Sequence, residues 1–140
     1  MSATGLDVFD KTLQSTNTWL KGIMDTLGPD RRKAWRALGA VLHALRDRLT
    51  LDEAAHLGAQ LPLLIRGLYY DQWHPAGNPE RMRHPAEFLS AVAEQLDDLG
   101  PINAEDATRA VLAVLEEQIA AGEIEDVKGV LPSHLRDLRP

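Results

Sequence analysis

The sequence predicts an all-α protein: a helical bundle of two tandem related units, each a long helical pair plus two short helices. Three observations predict it. Apolar residues recur three and four apart along successive segments, the period of a helix with one oily face. Leu-Gly-Pro, Leu-Pro and capping residues punctuate those segments, and the same landmarks return in the same order in the second half of the chain.

The first helix, roughly 7–27, carries Phe9, Leu13, Leu20, Ile23 and Leu27 in one stripe, with Trp19 and Met24 beside it; Lys11, Asn17, Lys21 and Asp25 lie off it. It stops at Leu27-Gly28-Pro29, where Gly suits a C′ position and Pro suits the first turn of a new helix. A second helix, about 29–48, sets Trp35, Leu38, Val41, Leu42, Leu45 and Leu49 on a core face and Arg32, Arg36, His43 and Asp47 on the opposite, solvent face. Thr50 and Glu53 form a capping box for a short third helix to about Ala59. Pro62 opens a fourth, with Leu61, Leu64, Ile65 and Leu68 as its buried edge, running into Tyr69 and Tyr70. Pro75, Gly77, Asn78, Pro79 and Pro85 then impose a long connection over 71–84.

Beyond it, Phe88, Val92, Leu96 and Leu99 line a helix ending at Leu99-Gly100-Pro101. Asn103 is an N-cap for a helix carrying Val111, Leu112, Leu115 and Ile119, which Gly122 is expected to end. A short acidic helix from Glu123 to Val130 and a final one from Pro132 complete the set.

The repeat reads directly from offsets. Ala40-Val41-Leu42 matches Ala113-Val114-Leu115 at 73 residues, the two Leu-Gly-Pro stops match at 72, and Leu61-Pro62 matches Leu131-Pro132 at 70. Ile65 and Leu68 have Leu135 and Leu138 as counterparts. The units, about 7–70 and 85–140, are each too small to bury their apolar faces well alone. They are expected to pack on each other as one domain over 1–140, pseudo-twofold, with the linker crossing near the seam.

The segments Leu61-Pro62-Leu63-Leu64-Ile65-Arg66-Gly67-Leu68-Tyr69-Tyr70-Asp71 and Gly122-Glu123-Ile124-Glu125-Asp126-Val127, followed by Leu131-Pro132, resemble the bacterial family catalogued as domain of unknown function 2267. The similarity runs from the first helix to Leu135-Arg136-Asp137-Leu138. It implies an all-helical cytoplasmic bacterial protein and brings no activity, cofactor or catalytic residue. Two positions depart from the family pattern: Gln72, where a Gly commonly precedes the Trp, and Arg139, where an aromatic commonly precedes the closing Pro.

Composition narrows the function classes. Apolar residues make up 44% and charged ones 26%, the balance of an ordinary packed domain. No cysteine is present, which excludes disulfide scaffolds and thiolate metal sites and favours the cytoplasm. The start of the sequence has neither a basic n-region nor an apolar h-region, and no apolar run is long enough for a bilayer. A net charge of −6 argues against nucleic acid, whose affinity comes from cations on phosphates. Residues 1–70 carry nine Lys/Arg against seven Asp/Glu, and residues 71–140 six against fourteen, an asymmetry that permits contact between copies.

The chemistry-bearing residues gather at the linker: Arg66, Tyr69, Tyr70, Trp73, His74, Arg81, Arg83 and His84. Forked Arg donors beside flat aromatic walls suit an anionic ligand or acidic peptide. The same residues equally serve structure, the aromatics pinning the linker to the bundle while Arg81 and Arg83 stay solvated. Five histidines lack the i, i+3 or i+4 pairing of a metal site, and the acids between Glu94 and Asp126 fall on polar helix faces without a calcium-loop pattern. No Gly-x-Ser-x-Gly turn or Gly-rich phosphate loop occurs. Arg31-Arg32-Lys33 with Arg36 forms a basic patch where a helix start ordinarily prefers acids, suiting contact with an acidic surface as well as solubility.

The expectation is therefore a non-enzymatic protein-interaction module without cofactor, catalytic residue or metal, using the linker cluster and the exposed ends of the Leu-Pro helices. The alternative is a small-molecule anion or metal-ion binding protein with Tyr69, Tyr70, His74 and His84 in a pocket between the units. No nucleic-acid or membrane partner is expected; a homodimer is compatible with an apolar seam.

Overall fold

In the computed structural model, residues 2–80, 86–99 and 102–136 are described, and among them seven α-helices and three single 3₁₀ turns occur, with no strand. In order these are α1 (Asp7–Leu27), α2 (Arg31–Arg48), α3 (Leu51–Ala59), α4 (Leu63–Tyr70), α5 (Ala86–Leu96), α6 (Ala104–Gln118) and α7 (Ala121–Gly129). The 3₁₀ turns are Pro75–Gly77, Asp97–Leu99 and Ser133–Leu135. The protein is all-α.

Local chemistry sets most of these bounds. α2 starts at Arg31, past Pro29 instead of with it, and Asp30 is its N-cap, the carboxylate accepting from the backbone N–H of Arg32 and Lys33. Thr50 and Glu53 close the capping box on α3, and Asn103 caps α6 by accepting from Glu105 and Asp106. Each such cap stabilises its helix by about 1 kcal/mol. Gly28 ends α1 at φ 106°, a conformation L side chains rarely adopt, while its N–H donates to the Met24 carbonyl.

α2 is the axle of the bundle. It packs against α1, α3, α4, α5 and α6. Leu38, Val41, Leu42, Leu45 and Leu49 are fully buried with Ala34 beside them, and Ala37, Gly39, Ala40, Ala44 and Arg46 are buried on its other sides. Of the expected solvent face Arg32 is exposed, while Arg36, His43 and Asp47 are covered in part, the first two by contacts with α5 and the turn after it. His43 Nε2 is 2.7 Å from the Leu68 carbonyl and its Nδ1 3.1 Å from Gln95 Oε1, while Arg36 donates to Asp98 and to the Gln95 carbonyl. Ala and Gly at 34, 37, 39, 40 and 44 let neighbours approach on these sides, and the period of the large side chains did not register them. One hydrophobic cluster runs through all seven helices, each large aliphatic in it contributing about 1.5–3 kcal/mol relative to exposure.

α1 crosses α6 so closely that a Cβ on Gly22 would meet Val114 Cγ2 at 2.7 Å. Only the second half of α1 is embedded, through Thr16, Trp19, Leu20 and Ile23. Phe9 and Leu13, which share its stripe, are 49% and 44% exposed, so the stripe is longer than the core that receives it.

The second half of the chain departs from expectation in four places. α6 ends at Gln118 with Ile119 as C-cap, so Gly122 sits inside α7 instead of terminating α6. α7 begins at Ala121, two residues before Glu123. After Pro132 the chain makes one 3₁₀ turn with Leu135 buried, not an α-helix; Leu138 and Arg139 lie outside the described residues, as do Gly100 and Pro101. The segment following α5 tightens into the 3₁₀ turn at Asp97–Leu99.

Candidate functional site

Four of the eight linker-cluster residues meet beside the C-terminal end of α2. Arg66, from α4, folds back on the end of α3, Nε donating to the Gly58 carbonyl at 2.9 Å and Nη2 to those of Ala59 at 3.3 Å and Leu61 at 2.9 Å. It satisfies the acceptors that a helix end leaves open. Tyr69 is fully buried and its hydroxyl donates to the Ala54 carbonyl at 2.7 Å. Burial pushes this phenol well above the ordinary tyrosine range, with Tyr70 adding to the shift.

Tyr70 stands edge-on to Tyr69, ring centres 4.9 Å apart, and 5.4 Å from Trp73. Its hydroxyl end lies over Gly58, where any Cβ would collide with it. The Trp73 indole N–H donates to Asn78 Oδ1 at 2.9 Å, and Asn78 Nδ2 donates in turn to the carbonyls of Arg46 and Leu49. Arg46, 5% exposed, donates Nη1 to the Tyr69 and Asp71 carbonyls and Nε to the Asp47 carboxylate. His74 is exposed, and Arg81, Arg83 and His84 lie outside the described residues. The donors of Arg66, Tyr69 and Trp73 thus point into the protein, and two residues absent from the sequence-based cluster, Arg46 and Asn78, complete the network.

A second region has the opposite character. α1, α2 and the start of α4 enclose an open groove of about 350 Å³, lined by Leu13, Thr16, Asn17, Leu20, Arg31, Arg32, Trp35 and Leu64. The Leu64 N–H donates to Thr12 Oγ1 at 2.9 Å, which fixes α4 against α1 at the groove's end. Arg31 Nη2 donates to Asn17 Oδ1 at 2.7 Å, holding a cation over the rim. Thr16 Oγ1 on the floor is buried with no hydrogen-bond partner among the described residues. A second open depression of about 600 Å³ runs along α1 past Ala3, Asp10, Gln14 and Lys21 and shares Leu13 and Asn17 with the groove.

At the starts of α1 and α4, Leu6, Val8, Phe9, Leu13, Leu63 and Leu64 are between 41% and 54% exposed, and of these Leu13 and Leu64 line the groove. Sequence reasoning found the basic patch here but read Phe9, Leu13 and Leu64 as parts of buried faces; only the tertiary position of α1 separates the two meanings.

Three carboxylates are held by neighbouring side chains. Arg36 holds the Asp98 carboxyl below the usual carboxylate range through a 2.7 Å contact. Asp10 is lowered by the hydroxyls of Ser2 and Thr4, which fold the first residues over the first turn of α1. His134 Nε2 sits 2.8 Å from Glu105, which also faces Arg109 at 3.7 Å. Among the described residues, no three His, Asp or Glu side chains gather as metal ligands, and no helix is long and apolar enough to cross a membrane.

The family described as "Uncharacterized conserved protein (DUF2267)" matches residues 16–138, nearly the whole chain, and the protein belongs to it. No curated protein matches the chain.

Proposed function

We propose that this is a non-enzymatic, cytoplasmic interaction module whose contact surface is the face formed by the first half of α1 and the start of α4. The observation that carries the reading is the half-exposed apolar strip of Leu6, Phe9 and Leu13 on α1, which leads into a groove that Leu13 and Leu64 line. Half-exposed large apolar side chains beside a groove suit a contact site in an otherwise well-packed domain. Leu63 and Leu64 belong to the Leu-Pro helix that the sequence marks out, and Arg31 and Arg32 give the rim a positive charge suited to an acidic partner.

The reading also takes the chain as a tandem of two related units. Its support is local: α3 and α7 are both nine residues long, each is followed by one residue of helical conformation and then Leu-Pro, and Arg66 and Arg136 each donate Nε or Nη2 to the carbonyl of the Leu five residues earlier. In this view the contact face exists once, because α4 is a full helix and the stretch after Pro132 is a single turn among the described residues.

The test is a photo-cross-linking side chain in place of Phe9, with a control in place of Glu116, which is exposed on α6. Protein adducts in cells from position 9 and none from position 116 are expected. Absence of any adduct at position 9 rejects the reading.

A further inference from the structure

We infer that a second copy of this chain covers that face, the first halves of two α1 helices packing antiparallel about a twofold axis near Leu13. The inference rests on the reading of the face as a contact surface and names its occupant. At 100° per residue, Leu6, Phe9, Leu13 and Leu20 fall within about 60° of arc, a single strip. An axis at Leu13 sets Phe9 of one copy level with Asn17 of the other, and Leu6 level with Leu20, about 6 and 10 Å from the axis. Asn17 and Leu20 line the groove. The unpartnered apolar residues ahead of Leu13 therefore lie opposite the hollow behind it, which is the self-complementarity an isologous contact requires.

Charge selects the same arrangement. Asp10, Asn17 and Lys21 lie on one flank of the strip, about 40–80° from Leu13, and a twofold axis brings like flanks together. Asp10 of one copy then stands level with residue 16 of the other, beside Asn17, where Arg31 reaches across at 2.7 Å, and one turn from Lys21. The hydroxyls of Ser2 and Thr4 hold Asp10 ionised. Symmetry makes the contact twice. A partner of another sequence would have to supply both features, an apolar strip and an acid on its flank, that this chain already carries on α1.

Sedimentation equilibrium of the full chain over a wide concentration range tests this. The wild type is expected to dimerise, and Leu13→Asp and Phe9→Glu, at sites already half exposed, to be monomers with unchanged circular dichroism. Asp10→Arg is expected to raise the dissociation constant by about tenfold or more, and Asp10→Arg with Arg31→Asp to recover part of the loss. A monomeric wild type, or a dimer untouched by both apolar substitutions, overturns the inference. Cross-linking from position 9 separates this from failure of the broader reading: adducts with a different protein remove only the second copy as occupant, whereas no adduct removes both.

Discussion

Helices α1 and α2 read alike in sequence, each about twenty residues with a leucine-rich stripe, and the fold treats them in opposite ways. α2 is enclosed by five other helices, so even Arg46 is buried, with its Nε and Nη1 hydrogen-bonded. The first half of α1 projects beyond the core, leaving Phe9 and Leu13 half in water. Periodicity defines an oily face; what covers that face depends on where the neighbouring helices end. Small residues mark the difference, because Ala34, Ala37, Gly39, Ala40 and Ala44 let partners close on α2 from several sides, while nothing comparable flanks Phe9.

The sharpest way to break this contrast is a matched pair of truncations. Leu42→Ala, at a fully buried site, is expected to cost about 2–5 kcal/mol in urea unfolding. Leu13→Ala, measured below any association, is expected to change stability by no more than about 0.5 kcal/mol. Equal losses would mean that the first half of α1 is part of the core.

Anchorage at the end of α2 gives the next largest effect. Arg46→Met removes donors from the Tyr69 and Asp71 carbonyls and leaves Asp47 without its guanidinium, an expected loss of about 3 kcal/mol. Arg36→Met, whose side chain is 38% exposed, is expected to lose less than about 1 kcal/mol. A reversed order would contradict the enclosed view of α2.

Two smaller effects sharpen the same hub. Gln72 holds φ at 61°, where a Cβ is unfavourable, so Gln72→Gly is expected to raise stability by about 1 kcal/mol in thermal unfolding. Tyr69→Phe is expected to lose about 1 kcal/mol at neutral pH with the bond to Ala54. Its pH profile is more telling. The folded protein retains the Tyr69 proton beyond the ordinary value of 10.0, so the unfolded chain releases it first and wild-type stability falls as pH rises past that point. The phenylalanine variant should show a shallower alkaline decline, followed by denaturant titration at several pH values.

Much of the fold was legible before any coordinates. Thr50 and Asn103 announced two helix starts by their own hydrogen-bonding chemistry, and the bounds of α1 and α3 follow from Gly28 and the capping box. Gly122 misled because its place after an apolar run resembles a stop, whereas the C-cap is Ile119, buried through tertiary packing. The linker residues were visible as a cluster, but the direction of their donors was not, since it depends on carbonyls at 46, 49, 54, 58 and 61 that side-chain identity does not encode. The end of the Leu-Pro helix α4 was named as a surface from the sequence, but the α1 part of that face was missed because Phe9 and Leu13 read as core.

The three tryptophans occupy three different surroundings, which turns the molecule into its own optical instrument. Trp19 is sealed in the interior, Trp73 is tethered to Asn78 in the connection after α4, and Trp35 looks into the groove beside Arg31 and Arg32. Fluorescence from a variant retaining Trp35 alone would shift to the blue when a neighbour seats itself there, and the same variant of Trp19 would stay constant until the bundle melts.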